Sequence, residues 1–245
     1  MYLYRVKINL TIDIGNTRCK AAAFSGEKLL DAGSAPFSRE FVGSWIQKYP
    51  EARKIFSSVI SLSQVEEDFF TENGFITAKS CTVVPVISDY KSPETLGEDR
   101  WAAVCGASLL SKNSFPFLVV QIGTAITFDY VDPHGHYAGG AISPGISLRL
   151  RALHNFTGKL PLIQPENVFK EMGLTTKDSI LSGVMTGCLA ELTLRIDKFR
   201  RTNAKSPIYL GGGDSGYFDF SHENNIFAVP NIVLVGLNHL LNLNP

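Results

Sequence analysis

Two short runs of this sequence hold side chains whose types and spacing could do chemistry. The first is LTIDIGNTRCKAAAF, Leu10 to Phe24, an apolar run that ends in Asp13, Gly15, Asn16 and Thr17 before a second apolar run begins. Gly, Asn and Thr suit a tight turn whose amides could face a phosphate. A carboxylate nevertheless stands at the mouth of that turn. Carboxylate and phosphate about 4 Å apart would repel by roughly 4 kcal/mol per unit pair at an effective dielectric near 20. A divalent cation between them, bound directly or through its water shell, reverses the sign. Mg²⁺ suits that place because it keeps waters and takes one or two carboxylates plus phosphate oxygens. On this reading Asp13 is the metal-side residue and the amides from Gly15 to Thr17 are the phosphate cradle. Asp and Gly are also ordinary turn residues, so a purely local role for Asp13 stays open.

The second run is YKSPETLGEDRWAAVCGA, Tyr90 to Ala107, with Gly97, Glu98, Asp99 and Arg100 just ahead of a small, apolar helical segment. Asp99 could serve only as a cap or dipole partner. Asp beside Arg also suits a kinase, which must deprotonate a hydroxyl and hold an anionic substrate. Other patterns carry less. No GxxxxGK[ST] loop occurs. Gly211, Gly213 and Gly216 satisfy GxGxxG, but YFDF opens a helix poorly and Val229-Pro230 stands where a ribose-binding acid would be expected. Consecutive glycines there could admit a flat group such as adenine, or simply turn the chain. GGAISPG, Gly139 to Gly145, has Ala141 where a hydrolase elbow needs Gly. His134 and His136 read as solvated turn residues.

The elements that must position these groups alternate. Strands are expected at Lys7–Ile14, Lys20–Phe24 and Lys28–Ser34, a meander, then a helix at Arg39–Lys48 capped by Ser38. A strand at Lys54–Ser58, a helix at Val65–Asn73, a strand at Thr82–Val86 and a buried helix at Asp99–Leu110 follow. After Lys112-Asn113-Ser114 the pattern restarts with strands at Phe117–Ile122, Ile126–Val131 and Tyr137–Ile142. Helices are expected at Ile146–Phe156, Lys177–Thr202 and Ile232–Leu241, with a strand at Ile208–Leu210. Ile180–Ile196 reads equally well as an interface helix or a core helix. The restart repeats the opening grammar, Asp13-Ile14-Gly15-Asn16-Thr17 aligning with Gln121-Ile122-Gly123-Thr124-Ala125. Two such halves, residues 1–114 and 115–245, would set two glycine turns across a cleft. A chance resemblance between α/β segments also gives this pattern.

Composition bounds the partners. The chain has 245 residues, 44% hydrophobic and 19% charged, with 23 basic and 23 acidic residues. Zero net charge gives no footprint for nucleic acid or an anionic membrane. Arg5 and Lys7 interrupt the apolar N-terminus, which therefore reads as neither signal peptide nor membrane span. The four cysteines are far apart, without metal-ligand spacing, and read as reduced thiols of a cytoplasmic protein.

Taken together, DIGNT, GEDR, GTAITFD, GGAISPG and LGGGD, in this order, resemble type III pantothenate kinase. The resemblance runs from about Asn9 to Leu241. It implies an α/β, duplicated actin-like (ribonuclease H-like) fold of two domains with a nucleotide cleft, as in acetate and sugar kinases and chaperone ATPases. It implies transfer of phosphate from ATP, with Mg²⁺, to the primary hydroxyl of pantothenate, the first step of coenzyme A synthesis, by a homodimer. Carried over by position, Asp13, Ile14, Gly15, Asn16, Thr17, Arg18, Cys19 and Lys20 would bind nucleotide phosphates, and Thr124 would join them. Gly211, Gly212 and Gly213 would lie near the adenosine. Tyr90, Gly97, Glu98, Asp99 and Arg100 would bind pantothenate, with Asp99 as proton acceptor, and Thr176 would contact substrate from the dimer partner.

One position departs from the family. Gln121 stands where the family usually has an Asp that binds K⁺ or NH₄⁺, so dependence on a monovalent cation should weaken or the ATP requirement should alter. Compensation by neighbouring carbonyls would make the change neutral. Two other readings compete: a binding or regulatory protein of the Bvg accessory factor type with weakened activity, and a different actin-like sugar or acetate kinase. Intact Asp13, Asp99 and Arg100 argue against the first. GEDR with Tyr90 argues against the second. Met1–Lys7 would lengthen the first strand.

Overall fold

The computed structural model describes residues 7–245. The expected lengthening of the first strand by Met1–Lys7 therefore falls, up to Val6, outside the described residues, and Lys7 itself precedes the strand. In chain order come β1 (Ile8–Ile14), β2 (Cys19–Ser25), β3 (Lys28–Ala35), α1 (Arg39–Lys48), β4 (Arg53–Ser58), α2 (Gln64–Glu72) and β5 (Phe75–Thr77). Next are β6 (Ile87–Ser88), α3 (Glu98–Leu110), β7 (Phe117–Ile122), β8 (Ala125–Val131) and β9 (His136–Pro144). The chain closes with α4 (Ile146–Asn155), α5 (Thr176–Thr202), β10 (Ile208–Gly211), β11 (Ile226–Ala228) and α6 (Ile232–Leu243).

The chain packs as two compact units. One holds the residues up to Ser114 together with Gly135–Ala138 and Asn231–Pro245; the other holds Phe115–His134 and Gly139–Pro230. The change of unit at Ser114 falls where the sequence restarts, whereas α6, last in the chain, packs within the first unit.

The first unit's sheet runs β3-β2-β1-β4-β5, with β1, β2 and β3 antiparallel and β4 and β5 parallel to β1. The second unit's strands run β9-β8-β7-β10-β11, with β7 antiparallel to β8 and parallel to β10. In both sets of five strands the order is thus third, second, first, fourth, fifth, and β6 adds a sixth strand beside β9. That shared topology is the structural signature of the repeated grammar.

β1 shows why a central strand reads as almost wholly apolar. Leu10, Ile12 and Ile14 enter a core with Val42 and Trp45 of α1 and Phe70 of α2. Asn9, Thr11 and Asp13 alternate onto the other face and are buried as well. Asn9 Nδ2 donates to Asn238 Oδ1 of α6 at 2.8 Å, so the polar face is covered by a helix that satisfies it. α3 and α6 approach closely because both carry glycine at the crossing. A Cβ on Gly236 would stand 1.7 Å from the Ala102 carbonyl oxygen, and one on Gly106 would stand 2.5 Å from that of Ile232.

The Ser38 cap is present, its Oγ accepting from Phe41 N at 3.1 Å. Thr82–Val86 is not a strand. The backbone amides of Thr82 and Val83 donate to Asn244 Oδ1 at 3.0 and 2.9 Å, so a side chain takes bonds that a ladder would have supplied. Only Ile87 and Ser88 pair, with His136 and Tyr137 of β9. β5 and β11, three residues each, are too short to leave a periodic signal. α5 is long and apolar enough to cross a membrane by composition. Its buried face, from Ile180 to Phe199, packs into the second unit's core with β7, β8 and β10.

Candidate active site

Asp13 sits near the C-terminal end of β1, 8% exposed. Its register partners are Lys20 on β2 and Ser57 on β4. Ser57 Oγ, fully buried, donates to Asp13 Oδ1 at 3.0 Å. Burial, and then the charge of Asp99, push the Asp13 carboxyl up to about 6, against the pull of Ser57 and Lys20. Asp99, far from Asp13 in sequence, is therefore close enough in space for its charge to act on Asp13.

Asp99 lies in the first turn of α3, after Gly97 at the N-cap. Its Oδ1 accepts from the Arg100 amide at 2.8 Å. Burial raises its carboxyl, while the backbone amide and the Arg100 charge hold it down. Arg100 is 5% exposed, and its Nη2 donates to Tyr137 Oη at 2.8 Å. The guanidinium lies 5.9 Å from the Tyr90 ring centroid. Arg100 thus lies against both Tyr90 and Asp99. Glu98 is directed elsewhere: its carboxylate takes the backbone amide of Ala78, and burial raises its pKa.

The turn after β1 is closed by Gly15 N donating to Arg18 O at 3.0 Å. The Gly15 amide is committed to the turn itself, so a cradle begins at Asn16, which is exposed. Arg18 donates from Nε to Ser34 Oγ and from Nη2 to Ser34 O, both at 2.7 Å, and its side chain is tied to β3. Ile14 and Cys19 are fully buried, and burial with the Asp13 charge pushes the Cys19 thiol up to about 12. Ile14 and Cys19 can offer this turn only backbone.

In the second unit, Gln121 and Gly211 are register partners at the ends of β7 and β10. Gly212 has φ +94°, and a Cβ there would stand 2.2 Å from Ile122 O, so only glycine allows the loop this close to β7. Gly213 opens outward from the same loop. The Thr124 carbonyl accepts from Gly145 N at 2.9 Å, at the cap of α4. Gln121 Nε2 and Thr127 Oγ1, on register partners, are buried without a hydrogen-bond partner. Thr176 begins α5, exposed, on a groove of about 1040 Å³ with Arg149, Phe156 and Leu174.

Sequence reading missed Ser57 and Tyr137. Ser57 stands at the end of an apolar strand, as Asp13 does, and that shared polar position was its only signal. Tyr137 read as an ordinary strand residue. His136, expected to be solvated, is 34% exposed, and its Nδ1 lies 2.8 Å from Asp89 Oδ2. Among the described residues no cluster of three or more His, Cys, Asp or Glu forms a metal site. One buried carboxylate beside an exposed glycine turn has the donor chemistry to take a cation that arrives with an anionic ligand.

The fold is shared with solved structures of low sequence identity. A Baf family protein from Campylobacter jejuni superposes with TM-score 0.63 at 19% identity, covering 96% of this chain and 98% of that one. Component A of the (R)-2-hydroxyglutaryl-CoA dehydratase of Acidaminococcus fermentans does so with TM-score 0.51 at 10% identity, covering 98% and 100%. The architecture is the actin-like one of sugar kinases and related ATPases. Sequence relatives are much nearer. Type III pantothenate kinases of Bacteroides fragilis and Phocaeicola vulgatus are 39% and 37% identical, over 97% of this chain and 98% and 99% of theirs. The family model for type III pantothenate kinase matches residues 9–197, which include the Asp13 turn, the Gly97–Arg100 segment and Thr176. This chain belongs to the type III pantothenate kinase family, whose members transfer a phosphoryl group to an alcohol.

Proposed function

We propose that Asp13 and Asp99 divide the work of phosphoryl transfer from ATP to pantothenate, giving 4'-phosphopantothenate at the entry to coenzyme A synthesis. The observation that carries this is the setting of Asp13: burial first, and then the charge of Asp99 from a different element, raise its pKa. Two carboxylates kept close and dry are costly unless positive charge joins them. Mg²⁺ held by Asp13 would supply that charge and offset the phosphates of ATP. Asp99 accepts the proton of the substrate hydroxyl, and its raised pKa brings it nearer the working range of a general base. Arg100 gives anionic pantothenate a charge-assisted hydrogen bond beside Tyr90. Gly97 and Glu98 contribute the backbone of the helix start. Asn16, Thr17 and Lys20 hold phosphate, with Thr124 and Gly211–Gly213 as further nucleotide contacts. Positioning and electrostatics dominate such reactions.

Gln121 fits a monovalent cation poorly. Turned either way its amide offers one neutral oxygen, and its buried Nε2 is a donor with nothing to meet. We therefore assign no step to K⁺ or NH₄⁺. The exposed apolar side chains Phe156 (88%) and Leu174 (90%) beside Thr176 support a homodimer formed over this groove. The four cysteines are all free thiols, which supports a reducing, cytoplasmic setting. The accessory-factor reading is not favoured, because the near relatives are named as kinases.

The test is transfer of labelled phosphate from ATP to pantothenate, with and without Mg²⁺. Transfer that requires Mg²⁺ and is lost in both Asp13→Asn and Asp99→Asn supports the reading. Wild-type protein that phosphorylates no pantothenate under any cation condition overturns it.

A further inference from the structure

Tyr137 is fully buried at the start of β9, and four contacts converge on it within the first unit. Its carbonyl accepts from Asp89 N at 3.3 Å. Its ring stacks on Tyr90 with centroids 5.8 Å apart and meets Trp101 edge-on at 6.1 Å. Its hydroxyl accepts from Arg100 Nη2 at 2.8 Å. A phenylalanine would make the two ring contacts equally well. Of the two side chains, the phenol alone adds a hydrogen-bond acceptor for the guanidinium, which is almost entirely out of water.

We propose that Tyr137 is a positioning residue for the pantothenate site, holding Arg100 in one orientation while backing the Tyr90 ring. This rests on reading Arg100 and Tyr90 as pantothenate contacts. Arg100 has a long side chain with several rotatable bonds, and its planar fork is useful only when aimed. Tyr90 belongs to a segment with little regular structure, tied to β9 by the two-residue pairing of β6 and by the Asp89–His136 contact. Tyr137 touches both groups, its hydroxyl on Arg100 and its ring on Tyr90, and so ties the charged side of the site to the aromatic side.

Tyr137→Phe keeps the ring and deletes the acceptor. The Michaelis constant for pantothenate should rise about tenfold, that for ATP should stay within about twofold, and the melting temperature should fall by no more than the loss of one buried hydrogen bond explains. In an Arg100→Lys background the same change should add almost nothing, because the group Tyr137 acts through is already gone. Calorimetric binding of pantothenate gives the same comparison if turnover is too slow to follow. An unchanged pantothenate constant in Tyr137→Phe, with a raised one in Arg100→Lys, overturns the role of Tyr137 alone. Equal rises for both substrates also overturn it, since that is a general packing defect and not a displaced Arg100. An unchanged constant in Arg100→Lys overturns the reading of Arg100 and this proposal with it.

Discussion

Ser57 Oγ donates to Asp13 Oδ1 at 3.0 Å, and the two residues face each other in the parallel register of β1 and β4. This bond opposes the burial and the Asp99 charge that raise the Asp13 carboxyl. Ser57→Ala leaves a buried acceptor with one donor fewer, at a cost of about 1–2 kcal/mol in stability. Urea unfolding should show that loss, and the Michaelis constant for Mg·ATP should rise while that for pantothenate holds.

Asp13→Asn should separate stability from activity. The folded-state pKa of Asp13 is raised, from 3.8 to about 6, so its protonated form is the one that favours folding. That contribution is fully present below the unfolded pKa and is lost as pH rises through about 6, and it amounts to about 3 kcal/mol. Asn mimics the neutral acid. The variant without ligand should therefore melt above the wild type at about pH 7–8, with the gap closing toward about pH 4. Phosphoryl transfer and the thermal shift on adding Mg·ATP should both vanish. Identical melting curves across this range would contradict a buried, charge-coupled Asp13.

Asp99→Asn keeps the size and the first-turn position but cannot accept a proton. The turnover number should fall by about 10²–10⁴, with the pantothenate constant changed only a few-fold. A large rise in that constant with turnover preserved would instead make Asp99 a binding group.

Turnover measured against K⁺ concentration should be nearly flat, because Gln121 brings no charge. Gln121→Asp should introduce a saturable K⁺ dependence. A steep activation curve in the wild type that disappears in Gln121→Ala would show that the amide does hold a cation.

Leu174→Asp, tested alone and with Phe156→Asp, places charge on the exposed apolar rim beside Thr176. Light scattering should show a shift from dimer to monomer. The pantothenate constant should rise if Thr176 reaches a partner's substrate. A dimer that survives the double substitution would locate the interface elsewhere.

The sequence by itself determined the alternation of strands and helices, the restart after Ser114 and the polar residues at strand ends. These are local properties: apolar periodicity, turn chemistry and a cap such as Ser38 act over a few residues. It also determined the family, because five short motifs keep their order. It did not determine the company each residue keeps. Ser57 meets Asp13 only because β4 pairs parallel to β1. Asp99 senses Asp13 from a different element, and Tyr137 reaches Arg100 across 37 positions of sequence. Thr82–Val86 failed as a strand because Asn244, from the end of the chain, took its backbone bonds. Burial, pKa and pairing depend on what lies opposite in space, and that is decided when non-local segments pack.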